Sequence, residues 1–174
     1  THEYKKGTKE MAQDFGKALS GNQAQIVAAA LSKAIQLCDR VIGDENLQTN
    51  LKQLELVGWR ENSSRTAGVR QEFAKIKQVL SGMGAADFGV KKGDYYAEVY
   101  PSFAGKMTLA DDFWTAADKG ADSKAGTLIH EASHWKIVRG TDDHAYGEAI
   151  KKLAFTLSRN NADTIEAIAE SYDA

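Results

Sequence analysis

The chain has 174 residues, a net charge of −2, 43% apolar residues and 26% charged residues. That is the composition of a globular protein large enough to bury a core, and residues 1–174 read as a single domain. The charge balance offers no basic footprint for nucleic acid or an anionic membrane, and the longest apolar stretch, Ile26 to Leu31, is far too short to span a bilayer.

The sequence opens at Thr1 without an initiator methionine and without a basic-then-apolar leader, as a trimmed chain or a mature form released from a precursor would. From Asn22 to Ile42 apolar residues recur at Ile26/Val27, Ala30/Leu31, Ala34/Ile35, Leu37/Cys38 and Val41/Ile42. This is helical periodicity, opened by an Asn22-x-x-Gln25 capping pattern and closed by Gly43. Cys38, the only cysteine, cannot form an internal disulfide and has no histidine near it in sequence. It reads as a small buried hydrophobe and not as a catalytic thiol. Asn46 to Val57 has room for a short helix. A further helix is predicted from Thr66 to Leu80, with Val69, Phe73, Ile76 and Leu80 on one face and Gly82 after it.

Tyr95 to Tyr100 alternates and is rich in aromatic and β-branched residues, which predicts a strand ended by Pro101. Lys106 to Ala110 is placed to pair with it through a turn over Ser102 to Gly105. From Asp111 onward the pattern is helical, with breaks near Gly120, Gly140 and Asn160/Asn161. Phe113, Trp114 and Trp135 read as core and scaffold. The outline is α+β and mainly helical, with a small antiparallel sheet. Tyr95 to Tyr100 is the candidate edge strand to hold an extended substrate backbone.

The chemistry gathers in His130-Glu-Ala-Ser-His134 and in Gly140-Thr-Asp-Asp-His-Ala-Tyr-Gly147. At 3.6 residues per turn, His130 and His134 lie one turn apart on one helix face, so two imidazole nitrogens reach a single zinc ion. Glu131 between them can act as general base on a water at that ion. A catalytic zinc takes three protein ligands, and a turn at Arg139-Gly140 brings either Asp142 or Asp143 back as the third. His144 is taken as lying outside the ligand set, and His2 as irrelevant. Asp142 reads as an N-cap or first-turn charge if it is not a ligand. Gly147 is read as allowing close packing beside the site. Asp163-x-x-Glu166, ahead of an apolar run, is a capping-box pattern for the last helix.

The two motifs together resemble the aspzincin metallopeptidases, the family of deuterolysin and peptidyl-Lys metalloendopeptidase. So do Ala121 to His130, Lys106 to Trp114 and Asn161 to Glu170, whereas the N-terminal half carries no specific likeness. The resemblance implies a zincin-like catalytic domain with one Zn2+ per chain, held by His130, His134 and Asp143, the fourth position of GTxDxxYG. It assigns Tyr146 to stabilising the oxyanion, where the competing reading is an aromatic packed with Ala149, Ile150 and Leu153. Asp163 and Glu166 correspond to acidic residues that accept a lysine side chain just after the cut. The implied activity is zinc-dependent endopeptidase cleavage on the amino side of lysine, by a secreted monomer acting on proteins or peptides, with a pro-segment removed. Ala110 stands where fungal members place a cysteine, so a bacterial, disulfide-free member is expected. Two other functions remain at this point: a deuterolysin-like peptidase of relaxed specificity, and a retired peptidase scaffold used for binding or as a toxin. A structural zinc site is a further alternative, weakened by the open fourth position.

Overall fold

The chain enters its first long helix through Ser20, whose hydroxyl accepts the Gln23 N–H at 3.2 Å while the Gln23 side chain accepts the Ser20 N–H at 2.9 Å. This reciprocal cap opens helix α1, Gly21–Gly43, two residues before the pair expected from sequence, because Ser20 and not Asn22 has the extended backbone of a cap. The computed structural model describes residues 13–59 and 63–173; His2 lies outside them. Val27, Ala30, Ala34, Leu37, Cys38 and Val41 form the buried face of α1. Burial pushes the Cys38 thiol up to about 12, with the Asp39 carboxylate adding to the effect, which suits an inert packing residue.

Helix α2, Leu47–Gln53, occupies the first part of the 46–57 segment. Helix α3, Ser63–Ser81, buries Val69, Phe73, Ile76 and Leu80, the face its periodicity predicts, and packs mainly on α1. Phe73 is wholly buried in this contact. Phe73→Ala is therefore expected to cost about 3–5 kcal/mol of stability, read from the denaturant midpoint. A loss well below that range would show that the α1–α3 contact is not the centre of the core.

The sheet has the strands β1 (Lys17–Ala18), β2 (Phe88–Val90), β3 (Ala97–Glu98) and β4 (Met107–Leu109), in the order β1-β2-β4-β3. The expected pairing of the 95–100 and 106–110 segments is present as antiparallel β3–β4, although β3 keeps only two ladder residues. The sheet is nonetheless mixed and not purely antiparallel: β2 and β4 run parallel, because the chain leaves β2, forms the edge strand β3 and returns between them as β4. Gly89 permits the β1 side to close in, since a Cβ there would meet the Phe15 carbonyl oxygen at 1.7 Å.

After the short helix α4, Asp111–Thr115, comes α5, Lys124–His134. Ser123 caps α5, its hydroxyl accepting the Gly126 N–H at 2.9 Å. The helix is buried from Ala125 to His134 and touches α1, α3, α4, α7 and β3. It ends at His134, ahead of the break expected near Gly140, because Trp135 turns to extended backbone and its indole fills the core. Phe113 is buried too, and Trp114 packs against the same core. The chain closes with a 3-10 turn over Gly147–Lys152, then α6, Phe155–Arg159, and α7, Ala162–Glu170, which packs along α5. No helix among the described residues is long and apolar enough to cross a membrane.

Candidate metal centre

His130 and His134 leave α5 on one face with ring centroids 5.1 Å apart. Each ring is fixed through Nδ1. His134 Nδ1 lies 2.7 Å from the Thr141 carbonyl oxygen; a carbonyl only accepts, so Nδ1 carries the proton and Nε2 offers a lone pair. His130 Nδ1 lies 2.9 Å from Glu166 Oε2, and an ionised carboxylate fixes the same tautomer. Both Nε2 atoms face Asp143 Oδ1, at 3.1 Å from His130 and 3.5 Å from His134. Two imidazole nitrogens and one carboxylate oxygen thus converge, a donor set that suits zinc, with both rings oriented by the hydrogen bonds that tune such ligands.

The electrostatics favour a cation at this point. Burial opposes charge on His130, yet the Asp143 and Glu166 carboxylates beside it hold its pKa well above the ordinary value. Burial also works against ionised Asp143, but the imidazoles and the Tyr146 hydroxyl hold it below the ordinary carboxylate range. Glu131 is wholly buried, and burial pushes its carboxyl well up, opposed by His130 and reinforced by Asp143 and Glu166. Positive charge between the imidazoles would offset the carboxylates of Glu131, Asp143 and Glu166 gathered there. A second cluster, His130, Asp163 and Glu166, uses His130 Nδ1, which is already engaged with Glu166. It reads as support for the first.

Asp142 is not part of the centre. Its backbone bridges to the start of α7, with Asp142 N–H donating to the Asn160 carbonyl at 3.0 Å and Ala162 N–H to the Asp142 carbonyl at 3.1 Å. Its side chain accepts from Asn160 Nδ2 at 3.4 Å and caps no helix, contrary to the expectation of an N-cap. His144 is exposed, as expected. Tyr146 is 37% exposed, its ring lies parallel to that of His130 at 6.3 Å, and its hydroxyl bonds the Asp143 carboxylate. That places the phenol beside Asp143, at the convergence of the two imidazoles. Gly147 has φ +55°, and nothing lies within 4 Å of where its Cβ would be. Left-handed backbone, not close packing, is what the position requires.

Asp163 and Glu166 do not form the capping box that their spacing predicts. Helix α7 starts at Ala162 behind Asn161, which puts Asp163 inside its first turn. Asp163 Oδ2 accepts the Gly147 N–H at 2.7 Å, and Asp163 Oδ1 lies 3.8 Å from His130 Nδ1. Both acids also line a pocket of about 270 Å3 beside the centre, with Asp122, Gly147, Ile150 and Glu170 among its walls. Burial, with Glu166 nearby, pushes Asp163 up to about 7. Burial likewise pushes Glu170 up to about 9, although Ser123 donates to it from N–H and hydroxyl.

Three residues here escaped the sequence reading. Glu170 joins the pocket from one turn beyond Glu166. The Thr141 carbonyl sets the His134 tautomer, and the Ser133 and Thr141 hydroxyls lie 2.6 Å apart beneath it. The wholly buried Asn161 accepts from the His144 and Ala145 N–H groups at 2.8 and 3.1 Å and donates to the Ala145 carbonyl at 3.0 Å. Only the GTxDxxYG motif hinted at Thr141, and nothing local marks Asn161 as more than a helix break.

The family model described as lysine-specific metallo-endopeptidase, the aspzincins, matches residues 56–170. An extracellular protease of Aeromonas hydrophila is 41% identical over 115 residues, which cover 63% of this chain and 33% of that protein. A peptidyl-Lys metalloendopeptidase of Armillaria mellea is 46% identical over 84 residues, 46% of this chain and 24% of that protein. The chain thus spans a third or less of these two relatives. Among solved structures, a zinc peptidase from Grifola frondosa superposes with a TM-score of 0.71 at 26% identity, covering 90% of this chain and 99% of that one. By sequence match and by fold, the chain belongs to the aspzincin family of metallo-endopeptidases.

Proposed function

We propose that the chain is the catalytic domain of a zinc-dependent endopeptidase that cuts on the amino side of lysine. The convergence of His130 Nε2, His134 Nε2 and Asp143 Oδ1 beside Glu131 carries the reading. His130, His134 and Asp143 would hold a zinc ion, which would supply Lewis acidity to water, bringing its pKa towards about 7, and to the scissile carbonyl. Glu131 takes the proton of the attacking water and delivers it to the leaving amine. The Tyr146 hydroxyl, exchanging Asp143 for the developing oxyanion, stabilises the tetrahedral intermediate. β3 is an edge of the sheet, but Ala97 and Glu98 are buried there, which leaves its backbone closed to the extended substrate expected from sequence. Action outside the cell is supported by the name of the Aeromonas relative.

Lysine selectivity is supported by the pocket, where Asp122, Asp163, Glu166 and Glu170 surround a space of about 270 Å3. An extended side chain ending in a point charge suits such walls better than the planar fork of arginine. Relaxed selectivity on the same chemistry is the second reading, favoured because Asp163 and Glu166 already serve Gly147 and His130.

A denatured protein substrate, digested with and without a zinc chelator and followed by sequencing of product termini, tests both. Cleavage should vanish with chelator, return with zinc and give products that begin with lysine. Asp163→Asn keeps an acceptor for Gly147 but removes charge, and should erode the lysine preference while a neutral-residue substrate is still cut. Full activity in chelator refutes the metal chemistry. Mixed termini leave the chemistry standing and select relaxed specificity.

A further inference from the structure

The segment carrying Asp143 and Tyr146, residues 142–147, is irregular, and its first turn of defined helix begins only at Gly147. Loop backbone of this kind is mobile unless its polar groups are tied down. Here most of the backbone ties come from residues 160–163, around the start of α7. Asp142 is bridged on both backbone groups, to Asn160 and Ala162. Gly147 N–H is held by Asp163. Between those ends, His144 N–H, Ala145 N–H and the Ala145 carbonyl all bond one side chain, that of Asn161. Its Nδ2 also donates to Thr164 Oγ1 at 3.1 Å, which fixes the amide's orientation from within α7.

We infer that Asn161 is a positioning residue for the metal centre, holding the Asp143–Tyr146 segment at the height where Asp143 faces both imidazoles and Tyr146 stacks on His130. The inference rests on the zinc-peptidase reading given above. A carboxamide is suited to the task because it offers an acceptor and a donor side by side, as a backbone unit does. Asn161 touches no substrate atom and is not itself a donor to the ion; its effect passes through its neighbours' backbone. Since α7 also carries Asp163 and Glu166, the same side chain fixes the distance between the metal loop and the pocket wall.

The test measures zinc affinity of the metal-free protein by competition with a chromophoric chelator, alongside melting curves, for wild type, Asn161→Asp, Asn161→Ala and Thr164→Val. Removing groups that orient metal ligands costs about 10- to 100-fold in affinity, and Asn161→Ala should fall in that range. Asn161→Asp keeps the acceptor for the two N–H groups but loses the donor to Ala145, so its affinity should lie between wild type and Asn161→Ala. Thr164→Val removes one acceptor of Asn161 Nδ2 but leaves the amide's three bonds to the loop, so it should lose less zinc affinity than Asn161→Ala even where its melting temperature drops as far. If Asn161→Ala fails to fold, the ordering of wild type, Asn161→Asp and Thr164→Val still decides. Wild-type affinity in Asn161→Asp, or an equal loss in Thr164→Val, would overturn the inference and leave a merely structural amide. A wild-type protein that binds no zinc would overturn the peptidase reading as well.

Discussion

Glu131→Gln is expected to retain zinc and fold while losing at least about 100-fold in kcat, within the 10²–10⁴-fold typical of general acid–base catalysis. The expectation follows from burial. Glu131 is wholly enclosed, and its surroundings disfavour the charged form. A neutral amide of the same shape fits the same space, but cannot take a proton from water. Zinc content by mass spectrometry under native conditions and the melting temperature should match wild type. Retention of more than a tenth of the wild-type rate would place the proton transfer on another group. His134→Ala is the contrasting variant: it removes an imidazole and should lose metal together with activity.

Asp143→Ala should weaken zinc binding by more than the about 10- to 100-fold attached to residues that merely orient ligands, while Asp142→Ala should leave it unchanged. Asp143 Oδ1 lies within 3.5 Å of both Nε2 atoms. Asp142 is joined to the fold through its backbone, which alanine preserves, and its side chain bonds Asn160. The two variants differ by one position in an exposed-looking DD pair, so a chelator-competition titration separates them cleanly. Equal losses would mean that the loop's overall charge, and not one carboxylate, holds the ion.

The parts of the fold that sequence could show are those whose causes are local. The faces of α1 and α3 repeat at helical spacing over many residues, and Val69, Phe73, Ile76 and Leu80 are buried together as that spacing requires. The sheet could not be read the same way. β1 and β2 are two and three residues long, too short for alternation to register, and β2 is identified by partners far away in sequence. Its middle residue, Gly89, is there to let the Phe15 carbonyl approach. The metal motif was legible because one helical turn fixes His130 and His134 relative to each other. The choice of Asp143 over Asp142 needed the family motif, since neighbouring aspartates differ only in how the loop is pinned. The Glu166–His130 contact, across 36 residues, and the Asn161 ties have no local signature at all. The capping-box misreading of Asp163 has the same origin, because its spacing fits a cap while the true helix start is set by the Asp142–Ala162 bridge.

Glu166 belongs at once to the pocket wall and to the hydrogen bond that orients His130. For protein engineering this makes selectivity and metal retention separable at some positions and inseparable at others. On the zinc-peptidase reading, a library that randomises Glu166 for a new cleavage preference should also weaken metal binding by about 10- to 100-fold, the cost attached to residues that orient ligands. Asp122, with a left-handed backbone at φ 52°, Glu148, and Glu170, one turn further along α7, line the same pocket, while the hydrogen bond that orients the imidazole is made by Glu166, so their replacement leaves that bond in place. On the proposed lysine reading, directed evolution towards neutral or acidic residues after the cut has its free parameters at those acids, with Glu166 held constant for its hydrogen bond with His130.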